Sequence, residues 1–278
     1  MKHFESKWQN KQGMNFYIQG WEPEQTPKAV VALIHGLGEH TGRYAHVGQA
    51  FTDSGYAIIG FDLRGHGKSD GARGHFPSLD AVMQDMDEFF GFLRERYQKN
   101  SSFFIYGHSL GGLLTLTYVL KKKPDVKGVV VTSPGLRSAL QDQKVKITMA
   151  KILGTITPTF TLASGLDVKT LSRDQAIVDA YVNDPLVHDK TSTSFGKSSL
   201  GAIDFAFAHA SEFGASLLVM AGSEDKLVYP RGAQDFVKLV RGDVTFKMWD
   251  GMYHEIHNEF GKEEVLKVAI QWMDKHLK

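Results

Sequence analysis

An α/β fold, with a mostly parallel sheet covered by helices on both faces, is predicted by three features of the sequence. Short apolar runs rich in β-branched residues recur along the chain, as in strands buried on both sides. Stretches with apolar residues at helical spacing alternate with them. The segments dense in Gly, His, Asp and Ser fall directly after the runs, at the strand ends where ligand chemistry sits in such sheets. The chain's 278 residues suffice for one large core, so a single domain is expected.

The elements follow in order. Phe4–Trp8 and Asn15–Gln19 look like a hairpin of outer strands. Ala29–Ile34 (A-V-V-A-L-I) has the composition of a central parallel strand. Tyr44–Ser54 has helical spacing and stops at Gly55, and Tyr56–Phe61 is a second buried-type strand. Ser78 precedes a helix over Leu79–Tyr97, where Leu79, Val82, Met83, Met86, Phe89, Phe90 and Leu93 share a face. Phe103–Tyr106 reads as a strand, Leu110–Leu120 as a helix ending before Pro124, and Val126–Thr132 as a strand. Ser216–Ala221 and Val244–Trp249 are further strands, each followed by a helix, Gly232–Val240 and Lys262–Leu277. Between Gly135 and Leu200 the alternation breaks. A structureless loop of that length does not suit a compact domain, so a mostly helical insertion is expected there.

The overall chemistry excludes several classes. A net charge of +1 with no basic stripe argues against nucleic-acid binding. With no cysteine, disulfides and thiolate catalysis are ruled out. The N-terminal M-K-H-F-E-S-K-W-Q-N lacks the apolar core of a signal peptide, and no apolar run has the length of a membrane span. A cytoplasmic protein is the expectation. The twelve histidines are scattered without an H-E-x-x-H helix, so no metal site is expected.

The strongest chemical signal is Gly107-His108-Ser109-Leu110-Gly111, lying between a strand and a helix. A nucleophile on a tight strand-to-helix turn has crowded backbone, and glycines two residues either side remove the Cβ atoms that would collide. The N–H of Leu110 then opens a helix and can donate to a developing oxyanion. Serine needs a histidine to take its proton and a carboxylate to orient that histidine, in the chain order Ser, Asp or Glu, His. G-S-E-D-K-L-V places Asp225 just past a strand end, with Glu224 as its rival. D-G-M-Y-H-E-I-H-N-E places His254 past the next strand, with Asp250 a second acidic candidate and His257 the rival base, set at the start of the last helix. H-G-L-G-E-H after the first core strand offers the Leu37 N–H as second oxyanion donor.

Together, H-G-L-G-E-H-T-G-R-Y, D-L-R-G-H-G-K-S-D-G, G-H-S-L-G-G, N-D-P-L, G-S-E-D-K-L-V and M-Y-H-E-I-H-N-E resemble the monoacylglycerol lipase and lysophospholipase-like branch of the α/β-hydrolases. The likeness runs from about Trp21 to the C-terminus and is weak in the insertion. It implies eight strands, a helical cap inserted after strand 6 over approximately 136–200, hydrolysis of carboxylic esters, and no cofactor. It also implies that Ser109, Asp225 and His254 form a catalytic triad, with Leu37 and Leu110 as the oxyanion hole. Glu39, Arg43 and His257 match a polar network beside the site, and His108 and Tyr181 match positions at the glycerol end of the pocket. Glu39 and Arg43 also have the spacing of an ordinary i,i+4 ion pair. His35, Asp62, Arg64 and His66 are expected to fix loops around the site.

The expected function is hydrolysis of monoacylglycerols or similar single-chain lipid esters through an acyl-enzyme. Lysophospholipase and general carboxylesterase activity are the alternatives. An aminopeptidase would need cap carboxylates such as Asp167, Asp174 or Asp179 to bind an ammonium group. Outside enzymology stands an inactive hydrolase fold that binds lipid. In the insertion, K-V-K-I-T-M-A-K-I-L-G supplies Val145, Ile147, Met149, Ile152, Leu153 and, shortly after, Ile156, interleaved with Lys144, Lys146 and Lys151. It is read as a helix packed on the main domain, or as a lid over an acyl chain that touches membrane transiently.

Overall fold

A computed structural model of the chain describes residues 1–97, 101–138, 148 and 152–277. It opens with an antiparallel hairpin, β1 (Lys2–Gln9) and β2 (Asn15–Glu22). Strands and helices then alternate: β3 (Ala29–Ile34), α1 (Ala45–Asp53), β4 (Tyr56–Phe61), α2 (Leu79–Arg96), β5 (Phe103–His108), α3 (Leu110–Lys122) and β6 (Gly128–Thr132). Two short strands, β7 (Thr161–Ala163) and β8 (Lys190–Ser192), pair with each other, and α4 (Gln175–Asn183) lies between them in sequence. The chain resumes with α5 (Thr193–His209), β9 (Leu217–Gly222), α6 (Pro230–Leu239), β10 (Val244–Trp249) and α7 (Lys262–His276).

Eight strands form one sheet in the order β1-β2-β4-β3-β5-β6-β9-β10, parallel from β4 to β10. The alternation within β3 shows why its apolar run is continuous. Val30, Ala32 and Ile34 face a core shared with α2, α3, α5 and α6, while Ala29, Val31 and Leu33 face the core under α1 and α7. A strand with both faces covered has no solvent-facing position to hold a polar residue. The predicted helix over Leu79–Tyr97 starts as its sequence suggests, with the Ser78 side chain accepting from the Ala81 N–H.

The parallel register brings the strand ends to one rim. Ile34 lies beside Gly107, His108 beside Thr132, Thr132 beside Met220, and Gly222 beside Trp249. The turns leaving β3, β5, β6, β9 and β10 therefore converge, although their residues are far apart in the chain.

Two expectations need amendment. The interval from Gly135 to Leu200 is not mostly helical where it is described, since it holds the β7–β8 pair and the turns around α4. α5 begins inside it and runs on to His209, because its apolar face is shared with the main core through Ala202 and Ala206. His257 lies in a 3-10 turn at Ile256–Asn258, ahead of α7 rather than at its start. The stretch holding Lys144, Val145, Lys146, Ile147, Met149 and Lys151 lies outside the described residues.

Candidate active site

Ser109 sits between β5 and α3 with φ 53° and ψ −116°, a left-handed conformation unusual for a residue with a side chain. Such backbone costs about 1–3 kcal/mol and persists only when its surroundings over-determine it. Here the Ser109 N–H donates to the Thr132 carbonyl at 2.9 Å, and its own carbonyl accepts from Leu113 and Gly135 N–H at 3.1 and 2.9 Å. The flanking glycines are required by close approach. A Cβ on Gly107 would lie 2.5 Å from Thr115 Oγ1, and one on Gly111 would overlap the Ile34 carbonyl and lie 2.5 Å from that of His35.

The structure brings Ser109, His254 and Asp225 together. Ser109 Oγ is 2.8 Å from His254 Nε2, and His254 Nδ1 is 2.7 Å from Asp225 Oδ2. A carboxylate can only accept, so the proton belongs on Nδ1, which leaves Nε2 free to accept the serine hydroxyl. The other Asp225 oxygen accepts from the Leu227 and Val228 N–H groups, both at 2.9 Å, which fixes the carboxylate. Burial disfavours a charged His254, but the Asp225 carboxylate outweighs it and holds the imidazole above its ordinary value. The rivals stand elsewhere. Glu224 and Asp250 are exposed, and His257 is fully buried against the Tyr44 ring, 5.0 Å between centroids.

Ser133, to which the sequence assigns no role, anchors His254. It is buried in a left-handed conformation at φ 44°, and its Oγ donates to the His254 carbonyl at 2.7 Å. Thr132 and Ser133 thus tether Ser109 and His254 from consecutive positions at the end of β6. The T-S-P-G turn after a strand was the only local signal.

Leu37 follows β3 and Leu110 opens α3, and both border the same cavity as Ser109. Among the described residues, nothing accepts from the N–H of either. The Leu37 loop is shaped from both sides, since the Gly36 N–H donates to Glu39 Oε1 at 2.6 Å and the His188 N–H to the Gly38 carbonyl at 2.9 Å.

Glu39 and Arg43 do pair, at 2.8 Å, but within a larger buried network. Glu39 also accepts from the Tyr44 hydroxyl at 2.7 Å, and Arg43 forks onto Glu255 at 2.6 and 2.7 Å. Glu255 follows His254 directly, so the network joins the Leu37 loop to the turn carrying His254. Burial pushes the Glu255 carboxyl up, but the Arg43 guanidinium beside it holds it far below the usual carboxylate range. Glu255 stood in the sequence motif without a role, because only the fold reveals its partner.

The cavity above Ser109 measures about 260 Å³. Glu39, His108, Tyr181 and Glu255 make one part of its wall polar, and Leu113, Phe195, Leu200 and Ile203 make another apolar. Tyr181 lies under the Arg43 guanidinium at 4.7 Å, and His108 is held through Nδ1 on Thr132 Oγ1 at 3.0 Å, its ring 5.0 Å from that of His254. Burial drives the His108 imidazole well below its ordinary value, so it stays neutral. Arg43 stands behind the two carboxylates rather than at the wall. The loop-fixing residues behave as such: His35 Nε2 accepts from the Leu63 N–H, Asp62 accepts from Thr41 and Lys68, Arg64 forks onto Asp85, and His66 bonds the Arg64 carbonyl.

A family model described as serine aminopeptidase, S33, matches residues 25–261. An uncharacterised abhydrolase domain-containing protein of Dictyostelium discoideum is 39% identical over 94% of this chain, which spans only 28% of that protein's length. A monoacylglycerol lipase of Mycolicibacterium smegmatis is 32% identical, with 95% of each chain covered. The crystal structure of Paleococcus ferrophilus monoacylglycerol lipase superposes with a TM-score of 0.84 at 33% identity, covering 99% of this chain and 100% of that one. The chain belongs to this serine aminopeptidase S33 family, and is an α/β-hydrolase of the monoacylglycerol lipase-like kind.

Proposed function

We propose that the protein hydrolyses carboxylic esters of single-chain lipids, monoacylglycerols foremost, through an acyl-enzyme on Ser109. The observation that carries this is the hydrogen-bonded line from Ser109 Oγ through His254 to Asp225, bordering a cavity with one polar and one apolar region. His254 Nε2 takes the hydroxyl proton as Ser109 Oγ attacks the ester carbonyl, and the carbonyl π electrons move onto oxygen. The Leu37 and Leu110 N–H groups stabilise that oxyanion, each donor contributing about a hundred- to a thousandfold in rate. Collapse breaks the C–O bond, and the imidazolium returns its proton to the departing glycerol oxygen. Water then attacks the acyl carbon as His254 takes its proton, and collapse breaks the bond to Ser109 Oγ, which recovers that proton from the imidazolium as the fatty acid leaves.

The cap carboxylates do not favour an aminopeptidase. Asp167 and Asp174 accept from backbone N–H groups at their own helix starts, and Asp179 accepts from Gln175. The carboxylates at the cavity wall, Glu39 and Glu255, are both committed to Arg43. A lysophospholipase reading has one observation in its favour, Arg137 at the cavity wall, where an anionic head group would find a cation.

We read the segment over approximately 136–200 as the cap. Ile152, Ile156, Phe160, Leu162 and Val182, all within it, are exposed by half or more. Scattered apolar exposure is ordinary, whereas concentration in one segment suits reversible contact with a lipid surface. Among the described residues, no helix is long and apolar enough to cross a membrane. Co-sedimentation with phosphatidylcholine vesicles, weakened by Ile156→Glu with Leu162→Glu, tests the contact.

The main test compares rates on monoacylglycerols, lysophospholipids, p-nitrophenyl esters and aminoacyl amides. Fast monoacylglycerol cleavage, lost in Ser109→Ala together with fluorophosphonate labelling, is expected. Absence of labelling in the wild type would point to a binding module, and fast amide cleavage with inert lipid esters would overturn the substrate class.

A further inference from the structure

The cavity wall contributed by α5 contains a glycine that neither backbone nor packing requires. Gly196 lies in the first turns of this 17-residue helix, and it is not among the glycines with positive φ. Among the described residues, a Cβ built on it meets nothing within 4 Å. Gly107, Gly111 and Gly222 behave oppositely, each with backbone pressed against the missing side chain. Inside a helix, glycine is the least favourable residue after proline. What the missing side chain does at position 196 is keep space open.

Helical geometry says where that space lies. Residues 196, 199, 200 and 203 are spaced i, i+3, i+4 and i+7, which puts them on one face. All four line the cavity that holds Ser109. A side chain at 196 would therefore project into the cavity beside Leu200 and Ile203, a cavity that Leu113 of α3 also lines. Leu200 and Ile203 make this face largely apolar, with the Ser199 hydroxyl as its polar member.

We propose that Gly196 gauges the width of the acyl channel, and that long acyl chains are the preferred class because no side chain stands there. The inference rests on the reading of Ser109 as the acylated residue. A short acyl group ends within a few bonds of the ester carbon. A long one must pass the face formed by Gly196, Leu200 and Ile203. One added methylene at such a wall changes selectivity by about tenfold or more.

The test uses the full chain, with butanoyl and palmitoyl p-nitrophenyl esters. In Gly196→Val, kcat/KM for the palmitoyl ester falls tenfold or more while that for the butanoyl ester stays within about twofold. Gly196→Ala shows a smaller loss in the same direction and melts about 1–3 °C higher, because alanine favours the helix. Lower long-chain activity in a more stable variant cannot come from misfolding. A wild-type palmitoyl-to-butanoyl ratio in folded Gly196→Val, or in Gly196→Ala if the valine variant does not fold, overturns the proposal. Palmitate binding to Ser109→Ala, with and without Gly196→Val, is measured by calorimetry. Tenfold weaker binding supports the gauge and equal binding sinks it, whether or not the wild type turns over esters. An inactive wild type would count against the serine reading alone.

Discussion

Replacing Ser133 with glycine separates positioning from stability at this site. The hydroxyl of Ser133 is the donor that holds the His254 carbonyl, at 2.7 Å in a buried setting. Removing it leaves a buried acceptor unsatisfied, at a cost of about 1–3 kcal/mol. Glycine also relieves a left-handed residue at φ 44°, which returns about 1–2 kcal/mol. The Ser133 N–H still donates to the Met220 carbonyl at 2.7 Å, so the strand end keeps its course. The two contributions nearly cancel, and the melting temperature is expected to move by only a few degrees. Activity has no such compensation. The bond from Asp225 still holds the far side of the imidazole, so the displacement of Nε2 from Ser109 Oγ is limited. An ångström of misplacement costs about a hundredfold, and a fall in kcat of about ten- to a hundredfold with KM little changed is expected. Steady-state kinetics on a p-nitrophenyl ester and thermal melting read the two effects. Ser133→Ala is the companion, since it loses the hydroxyl yet keeps the backbone strain. It should melt lower than the glycine variant and show the same kcat. Wild-type kcat in both, or kcat that follows the melting temperature instead of the hydroxyl, refutes the tether.

Two further expectations rest on charge. His254 must be neutral to accept the serine proton, and Asp225 holds its protonated form above the ordinary histidine value despite burial. kcat/KM should therefore rise with pH through a midpoint above that value. Asp225→Asn should move the limb to lower pH and cut kcat about ten-thousandfold, while a wild-type limb below the ordinary value contradicts the coupling. Arg43→Met leaves Glu39 and Glu255 buried without their cation and should destabilise the fold by about 3–5 kcal/mol, read by chemical denaturation. Because Glu255 has a depressed pKa in the folded wild type, its contribution to stability is full above the ordinary glutamate value and is lost as pH falls through the depressed one. Arg43→Met should lose that acid-side dependence, and a variant with wild-type stability and pH response would show that the network carries little energy.

The sequence by itself determined the strand positions, because a strand covered on both faces must be apolar throughout. Ala29–Ile34 and Tyr56–Phe61, buried along their whole length, carry the same boundaries in the structure. Val244–Trp249 does too, but as the edge strand it alternates, with Thr245 and Lys247 exposed. It also marked the Ser109 turn, since the collisions that demand Gly107 and Gly111 arise within a few residues and against the adjoining strand. Only the tertiary structure decided which side chains meet. Glu224 and Asp225 are neighbours with equivalent chemistry in one dimension, and the direction in which the turn after β9 points its residues places only Asp225 against His254. His257 and His254 differ in the same way, one packed on Tyr44 and the other on Ser109. Ser133 and Glu255 act through partners over a hundred residues away, Glu255 on Arg43 and Ser133 on His254. Such pairings have no local signature, because they depend on the register of parallel strands bringing distant turns to one rim.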